Sequence, residues 1–398
     1  MRLSIASDEP LGIVVDTPLG EGLPRNVVDV AIQTALRGAI SGFLHGHSVG
    51  HWYRHAWTGD GPPLAYHDVL SRLLPRFAGV APDEMSTLCR EPRPFELPDW
   101  LATLYRLSSR LVAPAATPRQ LAPTPQPVLR CSLPRSVRRL ASEMGAHNGL
   151  QLILHGSLAT CDATAYSDVD ILLFIADDWL MTGERCSALR GIVSHAQRWL
   201  YRYDPLQHHG FMIVSQFDLD RYARIYFPLE LLSHAYSLGE PREVAYRLRP
   251  ADNESVARLR RVSTRLEQLE QGDRPAPGTR YALKLALSEL MLLPSLCLEA
   301  KGQVLYKRDS FGAVRPVLSP TANMAMEALS AWRLDWKRGT WESVYRVLGP
   351  WLPAKLSVRL LARARSANVN RRDRERWSAL VTGARALGFE LARFASLN

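Results

Sequence analysis

The sequence predicts a small α/β unit built on a mixed sheet, preceded by a mostly helical region and followed by a helical bundle. Three observations predict it. Two short apolar runs, 150–154 and 169–175, have the character of strands buried on both faces. A proline-dense stretch precedes them. From about Arg249 onward, apolar residues recur only at helical spacing. A chain of 398 residues has room for two or three domains. The expected divisions are a mostly helical region 1–112, a linker 113–133, an α/β domain 134–248 and a helical domain 249–398.

Composition excludes several classes. With 46% hydrophobic and 22% charged residues, the chain is neither wholly disordered nor a collagen-like fibre. No uncharged apolar window of about 18 residues stands out, since Asp29 and Arg37 interrupt 27–49, so no membrane span is expected. Asp8, Glu9 and Asp16 break up the first 24 residues, which argues against a secretory signal. Cys89, Cys131, Cys161, Cys186 and Cys297 are scattered and never form CxxC. They read as reduced thiols in a cytoplasmic protein. Lys+Arg 49 against Asp+Glu 39 gives a net charge of +10, almost all of it from arginine. Either the codon bias of a GC-rich genome or a selected affinity for phosphates accounts for that excess.

In the first region, Val27, Val30, Ala31, Thr34, Ala35 and Gly38 form a helical stripe within 25–55. Further helices are expected at 64–74 and at 99–111, the latter introduced by Pro98 and Asp99. His47, His51 and His55 repeat at i, i+4, i+8, with His45 just before. On a helix that spacing suits a transition metal, but Trp52, Tyr53 and Trp57 suit a packing surface equally well. Prolines 114, 118, 123, 125, 127 and 134 then forbid helix and central strand, leaving an extended linker.

Val137, Leu140, Ala141 and Met144 make 134–148 an amphipathic helix, and Asn148-Gly149 a turn. The strands 150–154 and 169–175 follow, then a helix at 187–201 and a strand at 210–214. In the last region Val256, Leu259, Val262, Leu266 and Leu269 mark one helix. Residues 281–300 mark another, kinked by Pro294, and 332–348 and 356–394 supply more. Arg359, Arg363, Arg365, Arg371, Arg372, Arg374 and Arg376 form either a solvated helical face or a track for a nucleic-acid backbone.

The chemistry concentrates in 152–174. A strand ends at His155 and gives Gly156-Ser157; ten residues later Asp168-Val169-Asp170 opens the next strand. Alternation along a strand puts Asp168 and Asp170 on one face and Val169 in the core. Two adjacent carboxylates repel by about 4 kcal/mol at an effective dielectric near 20. Something positive must therefore sit between them, and hard oxygen ligands suit Mg²⁺ or Mn²⁺. Glycine lets the backbone approach a ligand, and the serine hydroxyl is a donor for a phosphate oxygen.

This arrangement of Gly-Ser, ten residues and Asp-x-Asp resembles the DNA polymerase β-like nucleotidyltransferase superfamily. It is most similar to the bacterial branch of minimal and kanamycin-type nucleotidyltransferases. The resemblance covers roughly 134–214 and implies an α/β (α+β) nucleotidyltransferase core with a small mixed sheet. It also implies a phosphate-binding role for Gly156 and Ser157 and metal ligation by Asp168 and Asp170. Many members carry a third carboxylate on the neighbouring strand, where this chain has Gln207, His208 and His209 and no acid. Asp204 reaches the metals if that strand starts early; otherwise His209 serves as base, or the two histidines simply cap a strand edge. Lys307-Arg308 follows the kinked helix and is placed either to clamp a triphosphate or in a solvated turn.

The expected activity is transfer of NMP from an NTP, ATP first among them, to a hydroxyl of a protein, a small molecule or a nucleic-acid end, with release of pyrophosphate. A protein or small-molecule acceptor is expected ahead of nucleic acid. The alternative is a catalytically weak nucleotide-binding or interaction protein, such as an antitoxin-like partner.

Overall fold

The computed structural model describes residues 3–6, 12–15, 25–46, 80–90, 92–126, 131–224, 226–249, 254–273 and 275–396. The chain is a mixed α/β protein with small sheets and fifteen α-helices among these residues. The candidate helix 64–74 and His47, His51 and His55 lie outside the described residues.

A short antiparallel pair, β1 (Leu3–Ala6) and β2 (Gly12–Val15), opens the chain. Three helices follow: α1 (Arg25–Leu44), α2 (Pro82–Cys89) and α3 (Leu97–Leu111). In α1 the buried face runs Ile32, Ala35, Leu36, Ala39, Ile40 and Phe43. Of the expected stripe, Ala35 and Gly38 are buried, and the side chains of Val27, Val30, Ala31 and Thr34 lie outside what is described. In α3, Trp100, Leu101, Leu104, Tyr105 and Leu107 are buried at helical spacing.

The proline-rich segment is extended, but it does more than connect. Within it β3 (Arg119–Leu121) pairs antiparallel with β8 (Ala245–Arg247), and Gln126 bridges to Tyr236. Prolines flank this pairing instead of interrupting it, as an edge strand permits.

The central unit starts with α4 (Arg135–Met144), which buries Val137, Leu140 and Met144. Gly149 then turns with φ 80°. The sheet comprises β4 (Leu150–His155), β5 (Asp170–Ile175), β6 (Met212–Ser215) and β7 (Tyr236–Ser237), in the order β6-β5-β4-β7. It is mixed: β4 pairs antiparallel with β5 and β7, whereas β5 and β6 are parallel. The parallel step is spanned by α6 (Gly183–Tyr203), capped by the Thr182 hydroxyl on the Arg185 N–H. Two four-residue helices, α5 (Gly156–Ala159) and α7 (Gln216–Leu219), close the ends of β4 and β6.

Both faces of the sheet are covered, which explains the continuous apolar runs. Leu152, Leu154, Ile171 and Leu173 pack with α1, α3, α4 and α6 in one core. Ile153, Leu172, Phe174 and Val214 pack on the other face with Leu219, Tyr222 and Leu229. Each leucine buried this way contributes about 1.5–3 kcal/mol.

The remaining helices are α8 (Glu254–Gln271), α9 (Arg280–Leu290), α10 (Leu293–Ala300), α11 (Lys307–Val314), α12 (Pro320–Asp335), α13 (Thr340–Leu348), α14 (Ala354–Arg365) and α15 (Arg371–Ser396). The chain breaks between α9 and α10, and Pro294 sits in the first turn of α10. Residues 280–300 are long and apolar enough to cross a bilayer, contrary to the expectation that no such window exists. Here they form two core helices, with Leu283, Leu287, Leu290 and Leu293 buried. Tyr166 and Leu206 of the central unit belong to the same core.

Cys131 and Cys161 form a disulfide, which corrects the expectation of five free thiols; Cys89, Cys186 and Cys297 are free. Their separation of 30 residues hid the pairing, because only folding brings the start of α4 beside the loop after α5.

Candidate active site

The chain leaves β4 through Gly156, whose φ of 71° is left-handed. Space imposes glycine as well, because a Cβ here would overlap the Asp170 carboxylate. Sheet register is the cause: His155 and Asp170 are partners across β4 and β5. The glycine-serine turn and the acid pair therefore share one wall, as the spacing predicts. Ser157 is half-buried in α5, and its C=O accepts the Asp162 N–H at 2.8 Å.

Asp170 opens β5 and Asp168 lies two residues earlier, with Val169 fully buried between them. The Gln207 side chain pairs with the Val169 backbone: its Nε2 donates to the carbonyl at 2.9 Å and its Oε1 accepts from the N–H at 3.2 Å. A side-chain amide thus extends the sheet by one residue and fixes both acids.

Asp204 is not on a strand; it is the C-cap of α6. It still reaches the acid pair, through a residue that sequence reasoning missed. Lys284 on α9 contacts both Asp168 Oδ1 and Asp204 Oδ2 through its Nζ. Lys284 is 0% exposed, and its carbonyl accepts the Tyr166 hydroxyl at 2.8 Å.

The other face of the acids is met by the two histidines. His208 Nδ1 is 2.9 Å from Asp168 Oδ2. His209 Nε2 is 3.0 Å from Asp170 Oδ1 and 3.9 Å from Asp168 Oδ2, while its Nδ1 lies 3.1 Å from the Gly210 carbonyl. A ring bonded to a carbonyl at Nδ1 must carry hydrogen there, so its Nε2 faces two carboxylates. That geometry demands either a proton on Nε2 or a cation shared with the acids.

The electrostatics follow from burial and contacts. Burial alone would raise Asp168, but the Lys284 charge and the histidines hold its carboxyl well below the usual range. For Asp170 burial is likewise overcome, by the His209 hydrogen bond and charge. Asp204 goes the other way: burial and the neighbouring Asp168 outweigh its share of Lys284 and push it up. Lys284 is raised despite burial, because two carboxylates favour its ammonium. Burial would lower His209, yet Asp170 and Asp168 hold it up at about 9. Without a bound cation it is an imidazolium at neutral pH, a counter-charge to the two acids.

Lys307 opens α11, where burial lowers it to about 8 against the opposing pull of Asp170 and Asp168. Around it the bundle grips the loop after Ser157. The Tyr306 hydroxyl is 3.3 Å from Thr160 Oγ1, Arg308 pairs with Asp162 at 2.9 Å, and Arg333 donates to the Asp162 carbonyl at 2.9 Å. His155 was not foreseen either. Its ring lies 4.5 Å from Phe227, burial lowers it to about 4, and its Nε2 has no hydrogen-bond partner among the described residues.

One carboxylate and two imidazoles are grouped as a divalent cation would need: the donor atoms of Asp168, His208 and His209 lie within 4.8 Å of one another. Oxygen with imidazole nitrogen suits Mn²⁺ at least as well as Mg²⁺. Two surface cavities, at Arg260–Phe389–Arg393 and at Trp341–Arg363–Asn368, have no wall in common with these residues. Compared with protein-family models, with curated proteins and with solved structures, the chain matches none of them.

Proposed function

We propose that this chain is a divalent-cation-dependent nucleotidyltransferase of the polymerase β-like type, which moves NMP from an NTP to an acceptor hydroxyl. The observation that carries the reading is the contact of Gly156 with the Asp170 carboxylate, because it joins the phosphate turn to the acid pair. Asp168 and Asp170, with His209 and His208 beside them, are the residues that would hold Mg²⁺ or Mn²⁺. When bound, the cation supplies charge neutralisation at the phosphates.

The chain's own groups do the rest. Gly156 leaves the backbone open to phosphate oxygens, and the Ser157 hydroxyl donates to one of them. Lys307 brings a positive charge from the bundle to the β- and γ-phosphates. The acceptor oxygen forms its bond to the α-phosphorus, the α–β bridge bond breaks, and pyrophosphate leaves. Of the two expected bases, Asp204 is sealed beneath Lys284. His209 has one lone pair left, at Nε2, and that nitrogen faces the acids and would be taken up by the cation, so the hydroxyl proton passes to water. A protein side chain or a small molecule remains the favoured acceptor over a nucleic-acid end.

A second reading has an observation of its own. Asp168 and Asp170 are already met by Lys284, His208 and His209, so the fold is internally neutralised and could bind nucleotide with little turnover. Label transfer from each of the four α-labelled NTPs, wild type against Asp168→Ala/Asp170→Ala, separates the two. Transfer lost in the double variant supports the enzyme. Nucleotide binding without transfer in wild type favours the second reading, and transfer surviving the double change sinks the assignment of the acids.

A further inference from the structure

The geometry points to a single-cation site in which the Lys284 ammonium occupies the place of a second divalent ion. The inference rests on the proposed nucleotidyl transfer and concerns how its charge is handled. Lys284 comes from α9, in the bundle, and ends between Asp168 Oδ1 and Asp204 Oδ2. A second cation between these two oxygens would have to displace the ammonium. The ammonium is pinned there, since the Tyr166 ring lies 5.2 Å from Nζ and the Tyr166 hydroxyl ties down both the Lys284 carbonyl and Ser288 Oγ, at 2.8 and 2.7 Å.

One oxygen of Asp168 is thus committed to Lys284, and only its Oδ2 turns toward Asp170, His208 and His209. That face has donors for one cation. Lys284 is therefore a positioning residue that acts through Asp168, and Asp204 is its counter-ion and no metal ligand.

The test is electron paramagnetic resonance of Mn²⁺ on the full chain with a non-hydrolysable NTP analogue, combined with equilibrium dialysis. The expected result is one protein-bound Mn²⁺ per chain with an isolated-ion spectrum. In Lys284→Met a second Mn²⁺ should enter and give a dipolar-coupled pair. In Asp204→Asn, which keeps the ammonium, the single ion should remain with its affinity changed less than about threefold. A coupled pair in wild type, or a tenfold loss of Mn²⁺ affinity in Asp204→Asn, overturns the inference while leaving the proposed activity standing. A folded wild-type chain that binds no Mn²⁺ sinks the metal-dependent activity and the inference with it.

Discussion

Gly156 lies directly against the Asp170 carboxylate, with the backbone of the first in a left-handed turn and the side chain of the second filling the space of the missing Cβ. Gly156→Ala adds a strained φ and a clash at once. It is expected to cost about 1–3 kcal/mol of stability and to push Asp170 out of line, abolishing label transfer while nucleotide binding weakens. A melting temperature within a degree of wild type would contradict this.

Lys284 is fully buried between two carboxylates, so its charge matters to stability. Lys284→Met leaves Asp168 and Asp204 buried without their cation, at an expected cost of about 3–5 kcal/mol in urea unfolding. Adding Asp204→Asn should recover part of that loss, a coupling measurable by a double-mutant cycle.

Asp168 and Asp170 should separate in their effects. Either change to Asn is expected to slow label transfer at least about a hundredfold, through loss of several kcal/mol of charge stabilisation. Only Asp168→Asn should also destabilise strongly, because it strips a partner from Lys284. Unfolding curves of equal midpoint for the two would count against the buried pairing.

Stability should peak near pH 6–7 in the protein treated with chelator. His155, lowered to about 4, binds its proton less readily folded than unfolded, so stability rises with pH from about 4 to its ordinary value near 6.5. His209, held at about 9, contributes stability that is complete below 6.5 and is lost as pH climbs through 9. Asp168 adds to the acid limb, since a lowered carboxyl loses its contribution as pH falls. His209→Gln should flatten the alkaline limb and leave the acid one; an unchanged alkaline limb refutes the assignment.

The Cys131–Cys161 bond closes a loop of 30 residues, worth about 3–4 kcal/mol by chain entropy. Dithiothreitol or Cys161→Ser should lower the urea midpoint equally, and the variant should no longer respond to the reductant.

Legibility in the sequence tracked distance along the chain. The turn at Gly156-Ser157 and the spacing of Asp168 and Asp170 are local patterns, and the structure places them together through the pairing of His155 with Asp170. His209 was legible as a residue near the acids, but its charge was not, because that depends on which carboxylates face Nε2. Lys284 was invisible for a different reason. It stands 116 residues from Asp168 in a helix whose leucine spacing signals only a core, and a lysine in such a stripe reads as a snorkelling surface residue. Gln207 was passed over because an amide replacing a backbone ladder bond has no sequence signature. The pairing of Cys131 with Cys161 likewise depends on where the chain returns in space.

The strap formed by β3 has a practical consequence for anyone trimming the gene. A fragment starting at Pro134 looks natural, yet it would strip β8 of its partner strand and remove Val112 and Ala113, whose carbonyls receive the buried Arg221 guanidinium. It would also uncover the leucines of β4 and β5 that rest on α1 and α3. The shortest well-behaved recombinant piece should therefore keep the first third of the chain, and cutting there should yield aggregates instead of a smaller folded protein.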